Sequence, residues 1–474
     1  MNGSAPLPEN AEAVEDDVAT VKLSQPDAYQ LKQHILSPLE TLAQSVSAIA
    51  PSASPTLTVP LVFALCGEGT WLAYALALAG VGLVALCIAN FARDSASPGS
   101  LYIYTRATLP PIFASLAAWA LFYAYVTTAS SVTGGFINYA DEILGKAGLH
   151  ASPILVGAIA IGCAVWLAQR DIKVSTQVML WIEALSVCLI TLVVGLVIWK
   201  HGLHLDMPQL RLRGVSPVGV RLGVMLALFS FVGFESATAL GSEAREPLKN
   251  IPRAVVRSAI LAGLFFLVCC YGEVLGFRGA TPGLGESTAP FLFLADHAGV
   301  HIVGEVIDLG VLVSMFAATL ACVIASARVL MLMAHHGLAP ARFSRTHAKK
   351  QTPGAAGLLA GLLAFLPVAI LGGKGTSGAD IYGWLGTLSV YGFLTVYALI
   401  AIALPIHLKR HQRLHAGGIA LSIAAGTAML LAMIGNVYPV PPAPIRYFPY
   451  LYLGYIAAGM IWHASSKQRR SLAA

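Results

Sequence analysis

The chain has 474 residues, of which 57% are hydrophobic and only 11% charged, with a formal charge of +6. Soluble proteins carry about a quarter charged residues, so this chain cannot hide its apolar surface in one aqueous core and needs lipid as solvent. The basic residues sit singly at loop ends without interleaved aromatics, which argues against nucleic acid, and the seven cysteines lack C-x-x-C spacing, which argues against a zinc or disulfide framework.

Residues 1–36 read as a flexible tail with a short helix near Ala28–Leu36. The tail begins with acidic residues rather than a basic n-region, so no cleavable signal is expected. Twelve apolar stretches of spanning length follow, near 39–64, 71–92, 111–133, 153–169, 177–199, 218–241, 254–277, 303–334, 354–372, 381–405, 415–435 and 446–464. They are long and lack strand alternation, so the expected fold is an all-α membrane protein with twelve transmembrane helices. Residues 465–474 form a second tail. Counted with the N-terminus inside, the internal loops hold most of the Lys and Arg, among them Arg93, Arg106, Lys249, Arg253 and Arg257. The opposite side holds Lys146, Lys200, Arg211, Arg213, Arg278, Lys374 and Arg446. The positive-inside rule therefore places both termini in the cytoplasm.

Two stretches are interrupted. The first contains Ala50-Pro51-Ser52-Ala53-Ser54-Pro55, and two prolines do not both fit inside one helix. Ser54-Pro55 reads as a restart, with Ser at the N-cap and Pro at the first helical position. The sixth stretch, Phe229–Val255, reads FSFVGFESATALGSEAREPLKNIPRAV, with Gly233 and the carboxylate of Glu235 at membrane depth. A carboxylate there is expensive, and interrupted helices in corresponding positions of two halves point to a solute site.

That sixth stretch resembles the sixth transmembrane segment of the amino acid–polyamine–organocation superfamily. So do SPGSLYIY at Ser97–Tyr104, similar to the family's loop into helix 3, and RVLMLMAHHGLAPARFSRTHAKKQTP at Arg328–Pro353, similar to the end of helix 8 and its loop. The resemblance covers most of the chain. It implies a ten-helix core of 37–405 built as a five-plus-five inverted repeat of the leucine-transporter type. Repeat one would span about 37–200 and repeat two about 215–405, with helices 1 and 6 discontinuous and 406–464 adding two peripheral helices. Where many relatives have a Gly-x-Gly break in helix 1, this chain has Pro-Ser-Ala-Ser-Pro. The amides of Ser52, Ala53 and Ser54 remain to favour an anion.

The expected site comprises Ala50, Pro51, Ser52, Ala53 and Ser54 from helix 1, and Phe229, Ser230, Gly233 and Ser236 from helix 6. Ser236 is the favoured helix-6 hydroxyl, and Phe229 occupies the place of an aromatic gate. Glu235 and Glu183 are the candidates for proton coupling. Each has a structural alternative: local backbone and serines for Glu235, a pairing with Lys173 or Arg170 for Glu183. Glu273 reads as structural or solvated near one end of its helix, and Arg328 as snorkelling. Ser314, Thr319 and Ser326 are the hydroxyls a sodium site would need, but such hydroxyls are common in packing. Gly80-Val81-Gly82 imitates a dinucleotide fingerprint in mid-helix, where close packing is the better reading, as it is for Gly357 and Gly361. The histidines suggest no metal centre, and neither a cofactor nor an enzyme motif is expected.

The sequence thus predicts a secondary active transporter of the plasma membrane, working by alternating access. Its partners would be a small-molecule substrate, an amino acid or related small amine, the lipid bilayer, and a proton as coupling ion. A polyamine or organic-cation carrier is the alternative, ahead of a non-transporting sensor or a channel.

Overall fold

The computed structural model describes residues 36–95, 100–169, 173–202, 204–345 and 353–471. The N-terminal tail, Ser97–Gly99 and Lys349–Lys350 lie outside these. The first helix, α1, runs over Pro38–Ile49. Its start is a reciprocal cap: the Ser37 amide donates to Glu40 at 2.7 Å, and the Glu40 amide to Ser37 Oγ at 3.3 Å.

α1 stops where the prolines demand it. Ala50 takes a left-handed backbone with φ of 50° ahead of Pro51. The expected restart with Ser54 as N-cap is not what forms. Residues Ser54–Thr58 make one wide π turn, with the Val59 amide reaching back to the Ser54 carbonyl. Two prolines explain it. Pro55 has no N–H, and Pro60 cannot donate to the Thr56 carbonyl as a regular helix would require. That carbonyl is taken instead by the Tyr139 hydroxyl at 3.2 Å. Regular helix resumes as α2, Val59–Cys66, followed by α3, Thr70–Ala92.

The remaining helices are α4 Ser100–Thr108, α5 Pro111–Lys146, α6 Pro153–Ala168, α7 Lys173–Lys200, α8 Met207–Leu210 and α9 Pro217–Phe229. After them come α10 Pro247–Gly276, α11 Pro290–Ala298, α12 His301–His335, α13 Gly354–Gly373, α14 Gly378–Arg410, α15 Ala416–Gly435 and α16 Phe448–Ser471. Each of the twelve predicted stretches contains helix, the first and sixth with breaks. The third is longer than expected, since α5 continues through Asn138, Asp141 and Glu142 to Lys146. Among the described residues there is no strand, only an isolated bridge between Leu36 and Ala244. Among them, too, nine helical stretches are long and apolar enough to cross a membrane, Ser54–Ala92 counting as one, while α6 is apolar but shorter.

Helix surfaces match lipid. α13 buries Gly357, Ala360, Gly361, Ala364 and Val368. It exposes Leu358, Leu362, Leu366 and Ile370, one turn apart, to between 50% and 61%. Such an apolar stripe is tolerable only in hydrocarbon. Inside, α5 packs against α14 and α12 through small residues. A Cβ at Gly134 would lie 2.9 Å from the Gly378 carbonyl, and one at Gly392 2.5 Å from that of Ala120. Backbones approach this closely only without side chains between them.

The sixth stretch breaks as α9 ends. Ser216 caps it, accepting the Gly219 amide at 2.9 Å. After Phe229 the chain passes through turns to a 3-10 segment, Ser236–Glu243. Gly233 is the pivot, with φ of 104°. A Cβ there would collide with the Ala48 carbonyl and come within 3.0 Å of the Ile49 amide nitrogen. The two interrupted helices therefore touch backbone to backbone. Ser45 locks them: its hydroxyl donates to the Phe234 carbonyl at 3.2 Å and accepts the Ala237 amide at 3.1 Å.

Gly233→Ala combines a backbone conformation that L residues rarely adopt with a clash against α1. Strain of this kind costs on the order of 1–3 kcal/mol before the clash is added. The variant is expected to lower the thermal unfolding midpoint in detergent by several degrees, while Gly357→Ala, whose nearest neighbour would stand at 3.9 Å, leaves it unchanged.

Candidate substrate site

The helix-1 break presents fewer free amides than its sequence suggests. The Ser52 amide donates to Glu183 Oε1 at 2.7 Å, and the Ser52 hydroxyl to Glu183 Oε2 at 3.0 Å. The Ala53 amide turns back to the Ala50 carbonyl at 2.9 Å. Of the three amides expected to face an anion, two are thus engaged by the protein. The Ser52 carbonyl is also used, accepting from Thr56 Oγ1 at 2.9 Å. Glu183 comes from α7 and is only 6% exposed. One buried carboxylate thereby ties the break to α7. Arg170 and the side chain of Lys173, the alternative partners, lie outside the described residues.

Glu235 marks the other break and is fully buried. It is held by neither local backbone nor serines alone. Tyr125 of α5 donates to its Oε1 at 3.2 Å, and Tyr397 of α14 to its Oε2 at 3.1 Å. The tyrosine rings close a box around the carboxylate. Tyr397 lies 5.5 Å from Phe234 and 5.9 Å from Phe393, and Tyr125 meets Phe393 edge-on at 5.4 Å. Neither tyrosine was singled out from the sequence. Each stands in an apolar helix with nothing local to tell it from a packing aromatic.

The other helix-6 residues divide. Ser230 pairs with the Tyr74 hydroxyl of α3 at 3.0 Å. Phe229 packs edge-on against Tyr382 of α14, centroids 5.4 Å apart, and the Tyr382 hydroxyl meets Thr58 Oγ1 of the π turn at 2.8 Å. This links both interrupted helices to α14. Ser236 Oγ is enclosed and has no hydrogen-bond partner. A buried hydroxyl without a partner is unusual and costly, which makes it the most available polar group at the helix-6 break.

Elsewhere, of the two readings of Glu273, structural or solvated, the solvated one does not hold. It is fully buried, and both its oxygens lack hydrogen-bond partners. The reason is close packing: Gly272 and Gly276 let Val194 and Val197 of α7 close over this end of α10. Asp308, which the sequence reading passed over, is 1% exposed and lies 3.6 Å from Lys146 Nζ. The α12 hydroxyls mostly serve their own helix, Thr319 bonding to the Met315 carbonyl and Ser326 to that of Cys322. Arg328 is exposed.

The expectation that the histidines hold no His-x-x-x-His spacing is corrected: His407 and His411 stand four residues apart on α14 and its end, with Asp94 beside them and ligand atoms within 4.8 Å. His407 Nε2 lies 2.8 Å from Asp94 Oδ2, and the Arg413 guanidinium occupies the same oxygen. Arg413 supplies the positive charge that a metal would bring, so these residues read as an ion-pair cluster.

The chain is similar over most of its length to known proteins. Residues 36–461 match the family model described as amino acid permease. The methylthioribose transporter of Bacillus subtilis is 24% identical over 74% of this chain and 77% of its own length. The branched-chain amino acid permease of Lactococcus lactis is 24% identical over 77% of this chain and 83% of its own. The vacuolar cationic amino acid transporter 4 of Arabidopsis thaliana is 28% identical over 63% of this chain, which spans about half that relative (53%). The multi-pass membrane protein described here belongs to the amino acid permease family of the amino acid–polyamine–organocation superfamily.

Proposed function

We propose that the chain is a secondary active transporter of amino acids or related small amines in the plasma membrane. In this reading its twelve spans form a five-plus-five inverted repeat with two peripheral helices, and both termini are cytoplasmic. Cargo binds between the breaks of helices 1 and 6 and is moved by alternating access. One observation carries the proposal: two helices broken at membrane depth meet at Gly233, and each break has its own buried carboxylate. Irregular backbone and ionisable groups in a bilayer persist where they line a solute path. The permease and transporter relatives support the cargo class.

Proton coupling is assigned to Glu235 first. Its two tyrosine donors can follow a change in its charge, and it sits at the hinge of helix 6. Glu235→Gln keeps the size and one acceptor but cannot exchange a proton. Uptake by the variant into proteoliposomes is expected to lose most of its dependence on external pH while the protein keeps its elution profile. Uptake with unaltered pH dependence would transfer the role to Glu183.

The Glu183–Ser52 pair favours a second reading of the cargo. A carboxylate already fills the anion position at the helix-1 break. Among the described residues, the fully buried ionisable groups at the two breaks are acids, with no Lys or Arg beside them. Such a site suits an ammonium group better than a second carboxylate. A decarboxylated analogue of the transported amino acid is therefore expected to compete within about threefold of the parent. Removing the amine should weaken competition by at least about tenfold, the scale of one lost charge-assisted hydrogen bond. Glu183→Ala should reverse this order by freeing the Ser52 amide. If the wild type loses tenfold on decarboxylation, the cargo displaces Glu183 and is held as a zwitterion.

A further inference from the structure

A groove of about 490 Å³ opens between the end of α3 and the first turns of α10. Its cations are Arg93 from just beyond α3 and Lys249, Arg253 and Arg257 from α10. The last three stand four residues apart, on one face of the helix. No acidic residue lines the groove. Glu246 pairs with Lys249 at 2.7 Å. Arg93, Arg253 and Arg257 have no ion pair among the described residues, and all three are exposed. Like charges at this spacing repel, and Lys249, in the first turn of α10, opposes the helix dipole. An anion among them relieves both.

The rest of the groove is apolar. Leu86 and Leu248, each 45% exposed, and Val256 form its walls. A second cavity of about 330 Å³ on the other side of α10 shares Arg253 and Arg257 and is walled by Leu39 and Leu42. The position explains the mixture. The spans Ser54–Ala92 and Pro247–Gly276 both end here, so Arg93 and Lys249 at these ends lie at headgroup level, Arg253 and Arg257 are long enough to reach it, and Leu86 and Val256, further into their spans, lie where acyl chains begin. Neither interrupted-helix carboxylate lines the groove.

We propose that this groove binds the headgroup of an anionic phospholipid, with the phosphate among Arg93, Arg253 and Arg257 and an acyl chain along Leu86 and Val256. The Arg253 and Arg257 side chains, which cargo binding leaves unused, thus have an occupant of their own. Basic pockets between spanning helices suit such headgroups, each cation contributing about fivefold in affinity.

The test uses the full chain in nanodiscs of phosphatidylcholine with increasing phosphatidylglycerol, counting retained lipid by native mass spectrometry and following the thermal midpoint. Phosphatidylglycerol is expected to remain bound and to raise the midpoint. Arg253→Ala with Arg257→Ala should weaken retention about 25-fold. Arg253→Lys with Arg257→Lys should keep most of it, and Arg93→Gln, on the other wall, should cost about fivefold. Equal retention by wild type and the alanine pair, or by wild type and Arg93→Gln should the pair fail to fold, overturns the proposal. So does an equal rise of the midpoint with millimolar inorganic phosphate in pure phosphatidylcholine, which would make the occupant a free anion.

Discussion

Backbone polarity at membrane depth is the constraint on which this structure turns. A chain can leave the helix inside a bilayer only if every freed amide and carbonyl finds a partner. Here the two departures satisfy each other. Ser45 of α1 accepts and donates across the helix-6 break. Glu183 takes the Ser52 amide, and Tyr139 takes the carbonyl that Pro60 cannot serve. Gly233 makes the contact possible, since any side chain there would meet the Ala48 backbone. The breaks therefore form one joint, in which movement of either half-helix must exchange hydrogen bonds with the other.

The carboxylates follow from the same constraint. Glu183 serves as a donor-hungry plug for an opened helix end, and Glu235 is gripped by tyrosines from two neighbouring helices. Each connects a break to the surrounding scaffold, Glu183 to its own helix α7, Glu235 toward α5 and α14. A change in charge or in bonding at either is felt outside its own helix. That is the physical requirement for coupling a bound ion or solute to a rearrangement of packed helices. Ser236, whose Oγ is enclosed without a partner, is a helix-6 hydroxyl left over for a guest.

Much of this was legible in the sequence, for identifiable reasons. The helices follow from long apolar runs, and the breaks from Pro51, Pro55 and Gly233, residues whose backbone restrictions act locally. The position of Glu235 beside a break was equally local. What the sequence did not disclose depends on distant chain segments. Tyr125 and Tyr397 lie 110 and 162 residues from the carboxylate they hold. The loss of the Ser52 amide to Glu183 spans 131 residues. The π turn was missed because Pro60, five residues past Pro55, acts on a carbonyl that only a register count reveals. The sequence left Glu273 structural or solvated near a helix end; two glycines bring α7 over it and bury it. The His407–His411 spacing is local and legible, and the reading that no such spacing occurs was wrong.

The central claim is that cargo sits between the two breaks, beside Ser236. Its most direct test is the rate at which a small thiol reagent alkylates Ser236→Cys in proteoliposomes, measured above the background of the native cysteines. Saturating a transported cargo is predicted to slow that rate at least about fivefold and to leave alkylation of a cysteine placed on the lipid face of α13, at Leu362, unaffected. An unchanged rate at Ser236→Cys, in a variant that still transports, would place the cargo elsewhere and contradict the account.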